Sequence, residues 1–423
     1  MNKNTKIVAA LIAIGLVSPM AYATNGDEMM AVGSQNTALG GTGVANFAGA
    51  ESTFANPAML GKSKGKEVVG GFVMFLPKVK NTGMSVTAAP SGASATSTAD
   101  TSYIPDVSFS NRISDSLTYG VAMAGIAGMG VNYMDASNTG ATGTVHVKAK
   151  TTLSILKVIP TIAYNQKDYG VGFSPVLQYG SLAISYDTTP FPGGGPVNAG
   201  HNADTYTGYG YTLGGYFDVM PTLTVAAAYQ SAIDMEYGKQ LSTAGAGFGQ
   251  VFADKLAQPA QMKAGVAYTI ANNYTLTADY KVIQWSSAAG YKEFGWKDQT
   301  VVALGAKYAG NGFWVGAGYN SADNPIGVFA NTNGTGPNLT NGQNGIGNMF
   351  NNLMFPGIIK DAATFGGGYS LTKALDIEAS AMISRTVNST VDISDAYGLP
   401  AGSRFNTTSH KQESYSVSLR YKF

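Results

Sequence analysis

The chain has 423 residues, a formal net charge of +1 and no cysteine. Only 12% of its residues are charged, whereas 44% are hydrophobic and 54 residues are glycine. The near-neutral charge argues against a nucleic-acid partner, and so small a charged fraction is unusual for a soluble protein. Without cysteine, no disulfide bond can stabilise the fold.

Residues 1–23 have the three parts of a secretory signal peptide. Lys3 and Lys6 give a basic start, residues 7–17 form an apolar run, and an Ala-x-Ala cleavage site ends at Ala23. The run is too short to cross a bilayer as a helix. We therefore expect this segment to be removed after secretion.

Residues 24–62 are rich in small side chains and lack the alternation of a strand. They include Gly40-Gly41-Thr42-Gly43 and, near their end, Asn56-Pro57-Ala58. The trailing Lys-Ser/Thr and the preceding strand of a phosphate-binding loop are both missing. The sequence thus predicts a compact plug, or hatch, with short helical turns, followed by one further domain at 63–423.

The domain at 63–423 contains fourteen segments that read as strands. In several of them apolar and polar residues alternate, as in Tyr274, Leu276, Ala278 and Tyr280, which predicts strands with one apolar and one polar face. After the signal peptide no apolar run reaches the length of a membrane-spanning helix. The predicted strands are 66–77, 103–111, 117–127, 151–164, 170–187, 205–217, 222–232, 261–270, 274–284, 300–308, 312–320, 362–370, 374–385 and 412–423.

The connections between these strands alternate strictly between short and long. Bacterial outer-membrane barrels place short turns in the periplasm and long loops outside the cell. An even number of strands then puts both ends of the chain in the periplasm. We therefore predict an all-β fold: a transmembrane antiparallel β-barrel of about fourteen strands with a hatch in its lumen, in the outer membrane.

The hairpin formed by 261–270 and 274–284 predicts a cationic point in the lumen. If the apolar residues face lipid, Lys263 and Lys281 point inward, and a turn centred on Asn272 places them opposite each other. Like charges across a strand pair destabilise it unless an anion lies between them, so we predict that the two lysines bind a carboxylate. Alternatively, the lysines form ion pairs with Asp279 or Asp254, or the turn is shifted by one residue so that the two lysines are not opposite each other. Lys307 also points inward, and we expect it to pair with Asp27 or Glu28.

The longest predicted loop has two interpretations. Residues 327–348 are rich in Asn and Gly, and an apolar cluster follows that includes Phe350, Leu353 and Phe355. The cluster could be part of a short helix packed against the protein. Alternatively, it is an exposed hydrophobic surface at the mouth of the barrel that binds the ligand.

The C-terminal segment Tyr415–Phe423 keeps strict alternation to its last residue. Chain ends usually fray unless they are held, so we expect this strand to pair with the first one at 66–77 and to close the barrel. A C-terminal Phe also resembles the recognition signal of outer-membrane barrels. Phe423 is therefore expected to be read by the barrel-assembly machinery.

Three parts of the chain resemble the FadL family of outer-membrane transporters for long-chain fatty acids and hydrophobic compounds. They are the sequence Phe-Ala-Asn-Pro-Ala-Met-Leu at 54–60, the hairpin and its flanks at 258–286, and the strand pair at 302–319. Residues 128–255 match only in length and pattern. The resemblance implies a 14-stranded barrel with a lumenal hatch, capture of an apolar ligand at an outer groove, and sideways exit where the third strand kinks inward.

The third predicted strand offers a place for such a kink. This strand and the residues just after it carry several glycines, among them Gly125, Gly128 and Gly130, and glycine weakens strands and marks bulges. We predict a kink in this stretch, although close packing against the hatch would also explain the glycines.

The predicted function is passive outer-membrane transport of hydrophobic small molecules, either long-chain fatty acids or aromatic and aliphatic hydrocarbons. A general diffusion porin and a structural or adhesive surface protein are the alternatives.

The histidines (His146, His201 and His410) do not have the spacing of metal ligands, and no nucleophile motif is present, so no enzyme activity, metal or cofactor is expected. The expected partners are the ligand, membrane lipid and the assembly machinery, with the protein as a monomer.

Overall fold

The computed structural model describes residues 25–84, 92–134, 148–186, 199–200, 202–247, 252–329 and 344–423. The predicted signal peptide, residues 330–343 of the long loop, His146 and His201 lie outside the described residues.

Fourteen long antiparallel strands form a closed barrel, as the sequence predicts. Each strand pairs with the next along the chain. The last strand pairs with the first from Glu67↔Lys422 to Thr82↔Thr407, so the predicted closure is confirmed. The strands are β1 (Lys66–Thr82), β2 (Ser102–Arg112), β3 (Leu117–Asn132), β4 (Ala149–Asn165), β5 (Tyr169–Tyr186), β6 (Asp204–Met220), β7 (Leu223–Gln230), β8 (Gln261–Ile270), β9 (Tyr274–Ile283), β10 (Gln299–Gly310), β11 (Phe313–Ala322), β12 (Asp361–Ser370), β13 (Leu375–Ser384) and β14 (Phe405–Lys422).

The predicted strand ends differ most where strands continue beyond the membrane. β14 begins at residue 405 rather than 412, and β3 ends at residue 132 rather than 127. Apart from Phe405, the added part of β14 has polar side chains on both faces, because it no longer meets lipid. Alternation therefore marks the lipid-embedded part of a strand and not its full length.

The outer face of β14 illustrates how the barrel meets the bilayer. Tyr415, Val417, Leu419 and Tyr421 are 40, 39, 49 and 44% exposed. The serines and the arginine between them face the lumen and are almost fully buried. A membrane barrel presents an outward apolar band to lipid. The alternation along the strand therefore follows from lipid on the outer side and the polar lumen on the inner side.

Aromatic side chains gather at the short-turn end of the barrel. Phe109 contacts Tyr119 with ring centroids 5.9 Å apart, and Tyr274 contacts Tyr308 at 4.9 Å. Such aromatic girdles lie at the membrane interface of outer-membrane barrels. Their position marks the periplasmic boundary of the apolar band.

The C-terminal residue lies at this same end. The Phe423 amide donates to the Lys66 carbonyl at 3.0 Å, and its ring packs edge-on against Tyr421 at 4.9 Å. The final residue is thereby held at the seam between β14 and β1. Its recognition by the assembly machinery stays a prediction.

The remaining elements are short. At the long-loop end lie the helices α2 (Gln240–Gly247) and α3 (Asn344–Met354), the 3₁₀ helices Trp285–Ser287 and Ser394–Tyr397, and three short strands, Ser94–Thr96, Ala199–Gly200 and Val387–Asp392. Before β1 come α1 (Ser34–Ala38) and the 3₁₀ helices Glu51–Phe54 and Pro57–Lys62. In the described part of the chain, no helix combines the length and apolar character needed to cross a membrane.

Candidate functional site

The residues before the first strand contact the lumenal face of the barrel, and we call residues 25–63 the N-terminal segment. The Ser34 hydroxyl lies 2.9 Å from that of Ser416 and 2.6 Å from that of Ser418 on β14. On the other side, the Thr42 hydroxyl lies 2.7 Å from that of Thr277 on β9. The small polar side chains on the inner faces of the strands therefore act as hydrogen-bonding partners of this segment.

The Asn-Pro-Ala motif fixes the far end of the segment. The Asn56 side chain accepts the Ala58 amide at 3.0 Å, which caps the 3₁₀ helix, and donates to the Val44 carbonyl at 2.8 Å. A Cβ at Gly214 of β6 would come within 1.9 Å of the Asn56 side-chain oxygen. A glycine is thus required at this point of the wall for the motif to approach it.

Two charged groups of the wall also hold the segment. Asp279 of β9 accepts the amides of Gly43 and Val44 at 2.7 and 2.9 Å. Arg420 of β14 forms an ion pair with Glu51 of the segment at 2.9 Å. Both carboxylates and the guanidinium are buried, so these contacts are stronger than exposed ones of the same geometry.

A cavity of about 90 Å³ lies between the N-terminal segment and the inner faces of the strands. A single water needs roughly 10–15 Å³, so the space accommodates a small organic group. One part of its lining is apolar and the other is charged. The apolar part includes Met29, Val32, Val44, Phe54, Ile126 and Ile159, and the charged part consists of Glu28, Lys157, Lys263, Asp279 and Lys281.

The predicted lysine pair lies in the charged part of this cavity. Lys263 and Lys281 are directly opposite each other on β8 and β9, so the predicted register is confirmed. Both side chains are half-buried. Their role in carboxylate binding stays a prediction.

A third lysine, Lys157 of β4, lines the same cavity and was missed by the sequence analysis. It is 3% exposed. Leu156 and Val158 beside it are the more exposed residues in the alternation of β4, and this alternation was the signal that could have assigned Lys157 to the lumen. The sequence of β4 could not show that Lys157 shares one cavity with side chains of β8 and β9, which are far along the chain and are not paired with β4.

Two carboxylates of the N-terminal segment lie at the charged end. Gln261 donates to Glu28 at 2.6 Å, while Asp27 accepts from Gln258 at 2.9 Å and from the Tyr291 hydroxyl. Burial raises the pKa of the Asp27 carboxyl to about 7. Near neutral pH this group therefore carries only part of a negative charge.

The expected partners of Lys307 were wrong. Asp27 and Glu28 bind Gln258 and Gln261 instead, and the carboxylate that acts electrostatically on Lys307 is Glu378 of β13. The error arose because the sequence does not show how far along the barrel axis the first residues of the N-terminal segment lie.

Strand β3 loses β2 as its neighbour beside the cavity, while its pairing with β4 continues to Asn132. Its register with β4 shifts between Gly125 and Ala127, so that Ile126 is an extra residue. Its pairing with β2 ends at Ala124, and both faces of the strand are mostly buried from Ala124 onward.

Beyond this shift β3 bonds to the N-terminal segment. The Met29 amide donates to the Ile126 carbonyl at 2.9 Å, and the Gly128 amide donates to the Asp27 carbonyl at 2.8 Å. Gly130 lies so close to β4 that a Cβ would come within 2.3 Å of the Thr151 carbonyl oxygen. The segment thus takes the place of β2 as the neighbour of this part of β3.

The apolar cluster after the long loop is not exposed, so the expectation of an exposed binding surface is wrong for Phe350, Leu353 and Phe355. All three side chains are at most 1% exposed. The Phe350 ring lies 5.1 Å from Phe252 and 5.2 Å from Phe294. The packed helix, which was the other interpretation, is the one observed as α3, because these rings bury one another under the loops.

Comparison with known proteins agrees with this architecture. Residues 14–327 match the family model described as outer membrane protein transport protein (OMPP1/FadL/TodX). No curated protein matches the chain.

Among solved structures, the toluene transporter TodX of Pseudomonas putida has a TM-score of 0.66 at 17% identity, with 95% of this chain and 100% of that chain covered. A FadL homologue of Pseudomonas aeruginosa has a TM-score of 0.64 at 14% identity, covering 96% of this chain and 100% of that chain. The toluene transporter TbuX of Ralstonia pickettii scores 0.60 at 17% identity, with 93 and 99% covered. These likenesses extend over nearly the whole barrel, and the family model covers most of the sequence. The chain belongs to the OMPP1/FadL/TodX family of outer membrane transport proteins.

Proposed function

We propose that this protein carries hydrophobic small molecules across the outer membrane and prefers those that bear a single carboxylate, such as long-chain fatty acids. The observation that carries the proposal is the cavity, which joins an apolar lining to three lysines. The similarity to structures named as toluene transporters supports the hydrophobic class of ligand. It leaves fatty acids and neutral hydrocarbons to be distinguished by experiment.

The charge balance of the cavity favours a monoanionic ligand. Lys157, Lys263 and Lys281 face two lining carboxylates, Glu28 and Asp279. Burial raises the pKa of the Asp27 carboxyl beside them and so weakens its negative charge. Three amino groups beside an apolar lining are hydrogen-bond donors that the carboxylate at the end of an apolar chain would match.

The N-terminal segment favours this function over a general diffusion porin. We propose that it acts as the hatch, because it is hydrogen-bonded to opposite sides of the lumenal wall. An open aqueous channel needs no such segment. A structural or adhesive protein, the other alternative, would not need a cavity with separated apolar and cationic parts.

Replacing Lys263 and Lys281 together by Met tests the choice of ligand. We expect the affinity for oleate to fall about tenfold or more, because hydrogen bonds to charged groups contribute about 1.5–3 kcal/mol. The affinity for toluene should stay unchanged. Binding would be measured with the purified protein by tryptophan fluorescence.

Lys307→Met is the matched control, since Lys307 also faces the lumen but does not line the cavity. It should leave both affinities unchanged. Equal losses for oleate and toluene in the double variant would contradict the carboxylate site while leaving hydrophobic transport untouched.

For release, we propose that the ligand leaves sideways between β2 and β3. The gap begins where their pairing ends at Ala124, and Ile126 at the register shift lines the cavity. An apolar ligand that moves through this gap would reach lipid without crossing water. The exit would open when the N-terminal segment moves away from β3.

Deleting Ile126 should remove the register shift and let β3 continue in the wall. We expect the variant to bind ligand but to lose most of its uptake of oleate or toluene into cells. Deleting Val219 is the control, because it removes a residue at the other register shift, between Asp218 and Met220 at the short-turn end of β6. Normal uptake by the Ile126 deletion would refute the lateral exit.

A further inference from the structure

Four basic side chains form a patch on the outer face of the barrel, close to the loops. Lys78 and Lys80 lie on β1 and are exposed. The Lys411 side chain of β14 is 35% exposed and that of Arg385, just after β13, is 74% exposed. We call these residues the outer cationic patch.

The strand register places three members of the patch side by side. Lys78 is directly opposite Lys411. On the other side of β14, Ile383 is opposite Glu413, and continuing that antiparallel register by two residues brings Arg385 level with Lys411. Neighbouring strands are about 4.8 Å apart, so three cationic side chains lie in one row.

Two carboxylates belong to the same surface and do not neutralise it. Glu413 binds Lys411 at 2.7 Å, and Asp361 binds Arg385. Four positive charges against two negative ones leave an excess of two. Like charges directly opposite each other destabilise a strand pair, and a polyanion bound across Lys78 and Lys411 would relieve their repulsion.

The patch begins where the apolar band ends. On β1 the outward residues from Val68 to Leu76 are apolar or glycine, and Lys78 is the next outward position. For a tilted strand this stretch spans roughly 20 Å along the membrane normal, close to the roughly 25 Å of such bands. Because the long loops lie outside the cell, the patch is at the headgroup level of the outer leaflet.

Apolar side chains lie directly below the patch. Leu76 is opposite Glu413, and Met74 is opposite Tyr415, with the Tyr415 and Val417 side chains 40 and 39% exposed. A ligand that carries phosphates above several acyl chains would match both surfaces at once. A free phosphate would match only the upper one.

We propose that the outer cationic patch binds the phosphate groups of a phosphorylated glycolipid of the outer leaflet, with its acyl chains lying along β1 and β14. This interaction is independent of the transported ligand. It would fix the orientation of the barrel in the membrane and fill its lipid-facing seam.

The test compares lipid binding by four forms of the full-length protein in detergent, measured by native mass spectrometry. The first is wild type and the second replaces Lys78, Lys80, Arg385 and Lys411 by Gln. The third replaces three exposed lysines at the short-turn end (Lys64, Lys167 and Lys373) by Gln, which removes positive charge at the opposite end of the barrel. The fourth is Glu413→Gln. Heat-dependent gel migration checks that each barrel is folded.

Wild type should bind bisphosphorylated lipid A about tenfold more tightly than dephosphorylated lipid A, given the contribution of each basic residue near an anionic lipid surface. The patch variant should lose this preference, the short-turn variant should keep it, and Glu413→Gln should bind more tightly because a repulsive charge is removed. Equal binding by patch variant and wild type, or equal loss in the short-turn variant, would overturn the proposal. So would displacement of the lipid by equimolar inorganic phosphate, which would indicate a site for the free ion.

Discussion

Arg420→Met is expected to lower the free energy of unfolding by about 3–5 kcal/mol, the usual result of removing one partner from a buried ion pair. Arg420 is 5% exposed. Its guanidinium lies 2.9 Å from Glu51, 3.1 Å from Glu67 and 3.3 Å from Glu378. Without it, three carboxylates of the lumen would repel one another without a counter-charge.

The loss should depend on pH. Burial already raises the pKa of Glu51 well above its ordinary value, while Arg420 lowers it, so removing Arg420 raises that pKa further. A carboxyl whose pKa is higher in the folded than in the unfolded state stabilises the fold at low pH, and this stabilisation is lost as the pH rises through the folded pKa. The defect should therefore be larger at pH 8 than at pH 5.

Tryptophan fluorescence during guanidinium unfolding in detergent would measure both effects. Arg385→Met is the control, because that arginine is 74% exposed and its ion pair with Asp361 is at the surface; little change is expected there. Adding Glu51→Gln to Arg420→Met should restore part of the stability. If Arg420→Met unfolded like Arg385→Met, the ion pairs would not hold the N-terminal segment to the wall.

Gly318→Val is expected to release the N-terminal segment and to raise single-channel conductance strongly. Gly318 faces the lumen on β11, and a Cβ there would lie 2.1 Å from the Gly40 nitrogen and 2.3 Å from the Leu39 carbonyl carbon. These are backbone atoms, so no side-chain rotation can relieve the clash. Overpacking of this kind costs about 1–3 kcal/mol, and moving the segment away relieves it without breaking the closed sheet.

The measurement is conductance in planar bilayers, together with protease cleavage of the N-terminal segment. Gly70→Val is the matched control, since Gly70 lies on the outer face of β1 with no atom within 4 Å of its would-be Cβ. It should behave like wild type. Unchanged conductance and protease resistance in Gly318→Val would mean that this segment does not occlude the lumen.

The site was only partly predictable from the sequence. Lys263 and Lys281 could be paired because a three-residue turn joins their strands, and a local turn fixes the register of a hairpin. Lys157 and Glu28 belong to the same cavity but lie far away in the chain. Their approach depends on the closure of the barrel and on the path of the N-terminal segment, which no local pattern encodes.

The apolar cluster after the long loop shows a different limit of prediction from the sequence. Phe350 and Phe355 are apolar residues after a polar loop, and this pattern is the same for a binding surface and for a packed helix. Only their contacts with Phe252 and Phe294, from two other loops, distinguish the binding surface from the packed helix. Burial is a property of the assembled loops and not of the segment itself.

The alternation of Tyr415, Val417, Leu419 and Tyr421 determined that strand and its lipid-facing side, and the same pattern in the other segments, with the loop lengths, determined the number and order of strands. This was possible because successive side chains of a strand in the barrel wall face lipid and lumen in turn. The tertiary structure alone decided that β3 is no longer paired with β2 beyond Ala124 and that residues 27–29 bond to it there. Glycine in a strand allows both a regular and an irregular path, and the path is chosen by the neighbours that closure brings together.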